Sequence, residues 1–362
     1  MEVPSDRREA LHLWYHSRDG QETLTAAFDR AWSEMTALAP WAMPAHDARH
    51  ALFKVPATAL EYVHAERIDG FERVGVLGAV MHDYGRWAEE RIFGCPGPGL
   101  VHARLSFLLA HELLADFDMP LEIRAQILHA VLHHTSGGGH SDSMTTKLTV
   151  SADRDQLYGP EIVLRLMHHP VVGNNGSSVY GEKLGRPVLD RLMTFSRQRL
   201  PGPLFSRQQH VDDLHTILDT FVLMAEPREL SEHRFALERG VIAGSPPRVN
   251  FNWANEWERA AALRPSAIAD PEDAMATLLR ASHVAPSAAY HAEALAKVNA
   301  VPPDRAAVLA GALTWINEQR IEQDNRQAKA LRDILATELK DDFLVRVINV
   351  VLAGIEEAPA GE

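Results

Sequence analysis

Gly75-Val76-Leu77-Gly78-Ala79-Val80-Met81-His82-Asp83-Tyr84-Gly85-Arg86 decides how the rest of the chain is read. An apolar run, too short to cross a bilayer and dense enough to be buried, delivers an imidazole and a carboxylate side by side and halts at a glycine. A protein interior accepts an ionised carboxylate only where a cation compensates it, and the adjacent imidazole offers a neutral nitrogen ligand. Neighbouring side chains on a helix point about 100° apart, so His82 and Asp83 cannot chelate as one claw. They can flank a metal centre, the His on one ion and the Asp on one ion or bridging two. The dipeptide carries little alone, because His46-Asp47 also occurs and the chain holds 19 histidines. Its weight comes from what precedes and follows it.

Upstream, Leu24, Ala27, Phe28, Ala31, Trp32, Met35 and Leu38 recur at three and four, a helix over 21–38 that ends at Pro40. After Pro44, His50 heads an apolar stripe through Ala51, Leu52, Val55, Ala59 and Val63. Downstream, a loop rich in glycine and proline (94–99) precedes His102, which opens a helix with Leu105, Ser106, Leu109 and Leu113 on its inner face. Pro120 restarts the chain, and Ile123, Ile127, Val131 and His134 follow at offsets of four, four and three. That periodicity turns His134 inward and leaves His133 and His129 on an adjoining strip, so His134 is the preferred ligand and His133 the alternate. Beyond Ser136-Gly137-Gly138-Gly139, Asp153 stands after an apolar-to-small stretch, where a buried helix cap would also explain it.

The ordered set His50, His82-Asp83, His102, His134 and Asp153, with separations of 32, 19, 32 and 19 residues, resembles the HD-domain superfamily of metal-dependent phosphohydrolases. The local contexts are similar too: the apolar run into His-Asp-x-Gly-basic, His-Ala-x-x-Ser at His102, and Ala-Asp-Arg at Asp153. The resemblance covers roughly 44–160. It implies a helical bundle with a centre of two divalent ions, in which Asp83 bridges and His102 and His134 hold the second ion. Histidine and carboxylate ligands suit iron, manganese, cobalt, nickel or zinc. Arg86 stands where relatives often carry a lysine and could grip a substrate phosphate; as a bland alternative it is a cation at a helix C-terminus. Arg49, Arg104 and Arg154 adjoin proposed ligands and suggest an anion-receiving rim, and Asp83 with Arg86 are the catalytic candidates. The implied activity is hydrolysis of a small phosphoester, a nucleotide among the candidates, by a metal-activated water. The alternatives are a mixed-valence di-iron oxygenase and a metal-binding regulatory module without turnover.

The remaining readings come from the whole chain. A net charge of -13 argues against a nucleic-acid polymer or an anionic membrane as partner and favours a small ligand. The single Cys95 excludes an internal disulfide and a multi-cysteine zinc site. No secretory or transit signal is legible at the start and no apolar run reaches about 18 residues, so a cytoplasmic protein is expected, with a homo-oligomer open. No strand alternation of useful length occurs. The expected fold is therefore all-α, with a lead-in over 1–43, a catalytic HD bundle over 44–160 and a helical extension over 161–362. Helices are expected near 187–199, 208–225, 286–299, 303–335 and 340–356, with a further start at Asp270-Pro271. His168-His169 read as helix-end residues, His283 and His291 as structural, and the loop from Gly173 to Pro187 as a lid.

Overall fold

The structure, a computed structural model, describes residues 5–38, 49–86, 101–135, 143–155, 160, 306–337 and 339–357. Among these residues the chain is all-α, with nine α-helices, one π-helical turn, one 3-10 turn and no strand. His46-Asp47, the loop at 94–99, His168-His169, the expected lid, the helices expected between 187 and 299, Asp270-Pro271, His283 and His291 lie outside the described residues.

Helices α1 (Ser5–His16) and α2 (Arg18–Leu38) meet at Ser17. Its hydroxyl accepts from the Gly20 backbone N–H at 3.0 Å, capping α2. The stripe Leu24, Ala27, Phe28, Ala31 and Met35 is then fully buried. A π-helical turn (Arg49–Lys54) runs into α3 (Val55–Ala65), and a 3-10 turn (Phe71–Val74) into α4 (Gly75–Met81). Every residue of α4 is buried, as the apolar run required. It packs against α3, α6 (Leu121–His133) and α7 (Met144–Asp155), while α5 (Val101–Ala115) packs on α6.

Close approach explains why α4 contains glycine. A Cβ at Gly78 would stand 2.9 Å from Thr149 Oγ1 and 3.1 Å from Ala130 Cβ, so α4 meets α6 and α7 nearly backbone to backbone. From the α7 side, Thr149 Oγ1 donates to the Gly75 carbonyl at 3.0 Å.

Two helices from the far end of the chain share this core. Helix α8 (Ala306–Leu335) packs on α3, and α9 (Asp342–Glu357) packs on α2, α3 and the π-turn. In α9, Phe343, Leu344, Val347, Ile348, Val351 and Ile355 form one buried face. Asp341 fastens it. One carboxylate oxygen caps α9 at the Leu344 N–H (2.9 Å), and the other accepts from Tyr15 Oη (2.9 Å) and Arg73 Nη1 (2.9 Å). Burial, reinforced by the Asp341 charge, raises the Tyr15 pKa well above its usual value.

Candidate metal centre

The short α4 ends at Met81, and His82 and Asp83 occupy the turn that follows, before one further helical turn over 84–86. His82 keeps helical dihedrals (φ -58°, ψ -42°), and the two adjacent side chains still approach each other at their tips. His82 Nε2 lies 3.5 Å from Asp83 Oδ2. Gly85 allows the turn to sit flat on α5: its N–H donates to Ser106 Oγ at 2.7 Å, and a Cβ there would collide with the His102 carbonyl and the Ser106 N–H.

Six predicted residues from five places in the chain come together as two groups. His50, His82 and Asp153 form one, and Asp83, His102 and His134 the other, with the ligand atoms of each within 4.8 Å of one another. In the first, His50 Nε2 and His82 Nε2 lie 3.4 Å and 3.7 Å from Asp153 Oδ1. In the second, His102 Nε2 and His134 Nε2 each lie 3.6 Å from Asp83 Oδ1. The other oxygen of Asp83 faces the first group, 3.8 Å from His50 Nε2. One carboxylate thus presents one oxygen to each trio.

These gaps are too long for good hydrogen bonds and close to the separation of ligands that each lie about 2.1 Å from a shared ion. The imidazole tautomers agree. His82 Nδ1 lies 2.6 Å from the Ala79 carbonyl and His134 Nδ1 lies 2.7 Å from the Val131 carbonyl. A carbonyl only accepts, so both Nδ1 atoms carry the proton and both Nε2 atoms turn their lone pairs inward. His82 Nε2 has no hydrogen-bond partner among the described residues although it is fully buried. His134 Nε2 faces His102 Nε2 at 3.1 Å, a contact that only a proton or a shared cation can hold. The donor set therefore fits divalent metal.

The electrostatics favour the same occupant. Burial opposes the charged form of Asp153, but the nearby His50 and the charges of His82, His50 and His134 hold its carboxyl far below the usual carboxylate range. Burial also opposes an imidazolium at His134, yet the Asp83 carboxylate, with Asp153 and the Val131 carbonyl, raises its pKa. Both results describe a buried site that draws in positive charge. Asp153 is the least buried of the six, its side chain 19% exposed against 2% or less for the others.

The arginines separate. Arg86 Nε is buried without a hydrogen-bond partner among the described residues, 3.7 Å from Asp83 Oδ1, with the side chain 15% exposed. Arg49 does not join an anion-receiving rim. It is buried and paired with the Asp324 carboxylate of α8. Arg104 is exposed, two residues beyond His102 on α5, and Arg154 is half-buried, about 100° around α7 from Asp153. His134 is buried, while His133 is half-buried and packs on His129 with ring centroids 4.4 Å apart. Asp153 lies in the last turn of α7, so it is not an N-cap.

Sequence reasoning missed the buried charges of Asp324, Lys54 and Asp155. Lys54 Nζ reaches Asp324 Oδ1 at 2.9 Å, and the Tyr62 hydroxyl donates to Asp155. A lysine and arginine flanking an apolar turn were the available signal. Their partner lies some 270 residues away, beyond the reach of any local pattern.

No family model and no solved structure matches the chain. A curated relative does: 1D-myo-inositol 2-acetamido-2-deoxy-alpha-D-glucopyranoside deacetylase of Streptomyces avermitilis, 28% identical over 185 residues, 46% of this chain. The match spans 60% of that relative's length. The finding overturns the expectation of a phosphoester hydrolase, because the similar enzyme acts on an acetamido group. The oxygenase and non-catalytic alternatives have no counterpart in it either.

Proposed function

We propose that this chain is a metal-dependent hydrolase that removes an acetyl group from a small N-acetylated molecule, using an HD-type arrangement of ligands. The observation that carries the metal reading is the divided Asp83 carboxylate, one oxygen toward His50 and His82 and the other toward His102 and His134. The similarity to a deacetylase supports an amide as the bond cleaved. His50, His82 and Asp153 would hold one ion, Asp83, His102 and His134 a second, with Asp83 between them. Iron, manganese, cobalt, nickel and zinc all accept such a set. Bound there, the ions supply Lewis acidity and a water acidified toward neutrality.

The chain's own residues do the rest. The carbonyl-held Nδ1 protons of His82 and His134 keep both rings in register, so their Nε2 atoms need no reorganisation on loading. Arg86 is the positioning cation for substrate. Among the described residues its buried Nε is a donor without a partner, and the oxygen of an acetyl group gains negative charge as its carbon becomes tetrahedral. Water adds across the C–N bond, leaving acetate and a free amine. The net charge of -13 favours a neutral or cationic small substrate over a polyanion.

The test is acetate release from N-acetylated amino sugars by protein whose metal content has been measured. The metal-loaded protein is expected to release acetate and free amine together, and Asp83→Asn to abolish release. Arg86→Gln is expected to keep the metal and lose about 10²–10³ in kcat. Folded, metal-loaded protein that releases no acetate from any member of the panel would overturn the reading.

A further inference from the structure

His50 sits in an unusual piece of backbone. Arg49–Lys54 is wound as a π-helix, a form that occurs mainly as single turns and often at functional sites. Its first and last residues are both cations and both buried, Arg49 at 6% and Lys54 at 0% exposure. Both reach one carboxylate: Arg49 Nη2 contacts Asp324 Oδ2, and Lys54 Nζ donates to Asp324 Oδ1 at 2.9 Å. Lys54 also donates to Gln327 Oε1 at 2.8 Å, one turn along α8. The Gln327 amide then reaches Thr58 Oγ1 at 3.2 Å and Glu61 Oε1 at 3.0 Å on α3.

The winding suits the clamp. In an α-helix, residues five apart point about 140° away from one another. The i→i+5 hydrogen bonding of a π-turn brings such residues toward the same side. The π-wound turn therefore brings both cations to one side, where a single carboxylate grips them, and two buried cations without that carboxylate would be strongly unfavourable. Asp324 thus selects the backbone form that carries His50, the residue directly after Arg49.

We infer that Asp324 is a positioning residue for the His50, His82 and Asp153 group: from α8, it fixes the π-turn that aims His50 into the centre. The inference rests on the metal reading above, and its test separates the two. Metal-stripped protein is titrated with Co(II), following d–d absorption and calorimetric stoichiometry. In a His102→Ala background, which leaves the His50 group intact, adding Asp324→Asn weakens the remaining Co(II) at least tenfold. In a His82→Ala background, which leaves Asp83, His102 and His134, the same addition changes Co(II) affinity less than twofold. Lys54→Met removes one of the two cations while keeping Arg49 with Asp324, and it is expected to weaken the same ion; it decides the matter if Asp324→Asn does not fold. Leu331→Ala, fully buried on the same helix, controls for mere packing. It lowers the melting temperature and leaves Co(II) binding as in the parent protein. Equal weakening by Leu331→Ala, or unchanged binding in both Asp324→Asn and Lys54→Met, overturns the positioning role. A parent protein that binds no Co(II) at all overturns the metal reading, and the positioning role with it.

Discussion

At the scale of single residues, the centre depends on which histidine of an adjacent pair faces inward. His134 is buried, with Nδ1 committed to a carbonyl, whereas His133 lies against His129. His134→Ala is expected to lose bound metal and His133→Ala to keep it; copurifying metal per chain checks this, and equal loss in both would contradict it. Asp324 gives a prediction in pH. Burial pushes its carboxyl up, but the charges of Lys54 and then Arg49 more than offset this and hold it below the ordinary range. A folded pKa below the unfolded value of about 3.9 adds stability that is complete above that value. The added stability is lost as pH falls from about 5 toward the depressed folded value. Asp324→Asn should cost about 3–5 kcal/mol at neutral pH, because two buried cations lose their partner. It should also flatten the acid limb of the stability curve. Urea midpoints at pH 7 and pH 3 measure both effects, and parallel curves for the two proteins would contradict the assignment.

At the scale of elements, the contact between the turn after α4 and the first turn of α5 holds the second group together. It is a backbone contact at Gly85, with the Ser106 hydroxyl accepting from the Gly85 N–H at 2.7 Å. Gly85→Ala would press a methyl group into the His102 carbonyl and push α5 away, at a cost of about 1–3 kcal/mol. Because His102 moves with α5, metal at Asp83, His102 and His134 should weaken more than metal at His50, His82 and Asp153. Metal titration with a melting curve checks this, and a stability loss without a change in metal affinity would contradict it. The helix α7 shows how an element can be hidden in a sequence. Thr145, Thr146, Thr149 and Ser151 are all buried in it, yet β-branched and hydroxyl residues give no clear apolar stripe. Asp153 was therefore visible as a candidate while the helix that carries it was not.

For the whole molecule, the all-α class was legible because the stripes at 21–38, at 123–134 and near the C-terminus keep a helical period, and they now lie on buried faces. The inward direction of His50, His82, His102 and His134 was legible for the same reason. What the local pattern could not show was the partner of each buried charge. Arg49 read as a rim residue, and only the arrival of α8 turns it inward to Asp324. The π-winding of its turn was equally hidden, since it is stabilised by a tertiary ion pair and not by its own six residues. The chemistry was the least legible part. Two-metal sites are found in phosphatases and aminopeptidases alike, and no periodicity distinguishes them. The ties from Arg49 and Lys54 to Asp324 span 275 and 270 residues, and that from Tyr15 to Asp341 spans 326. During synthesis, then, His50 leaves the ribosome long before the carboxylate that secures its turn. Until α8 emerges a nascent chain lacks that carboxylate, and a cation arriving early meets an unsecured turn.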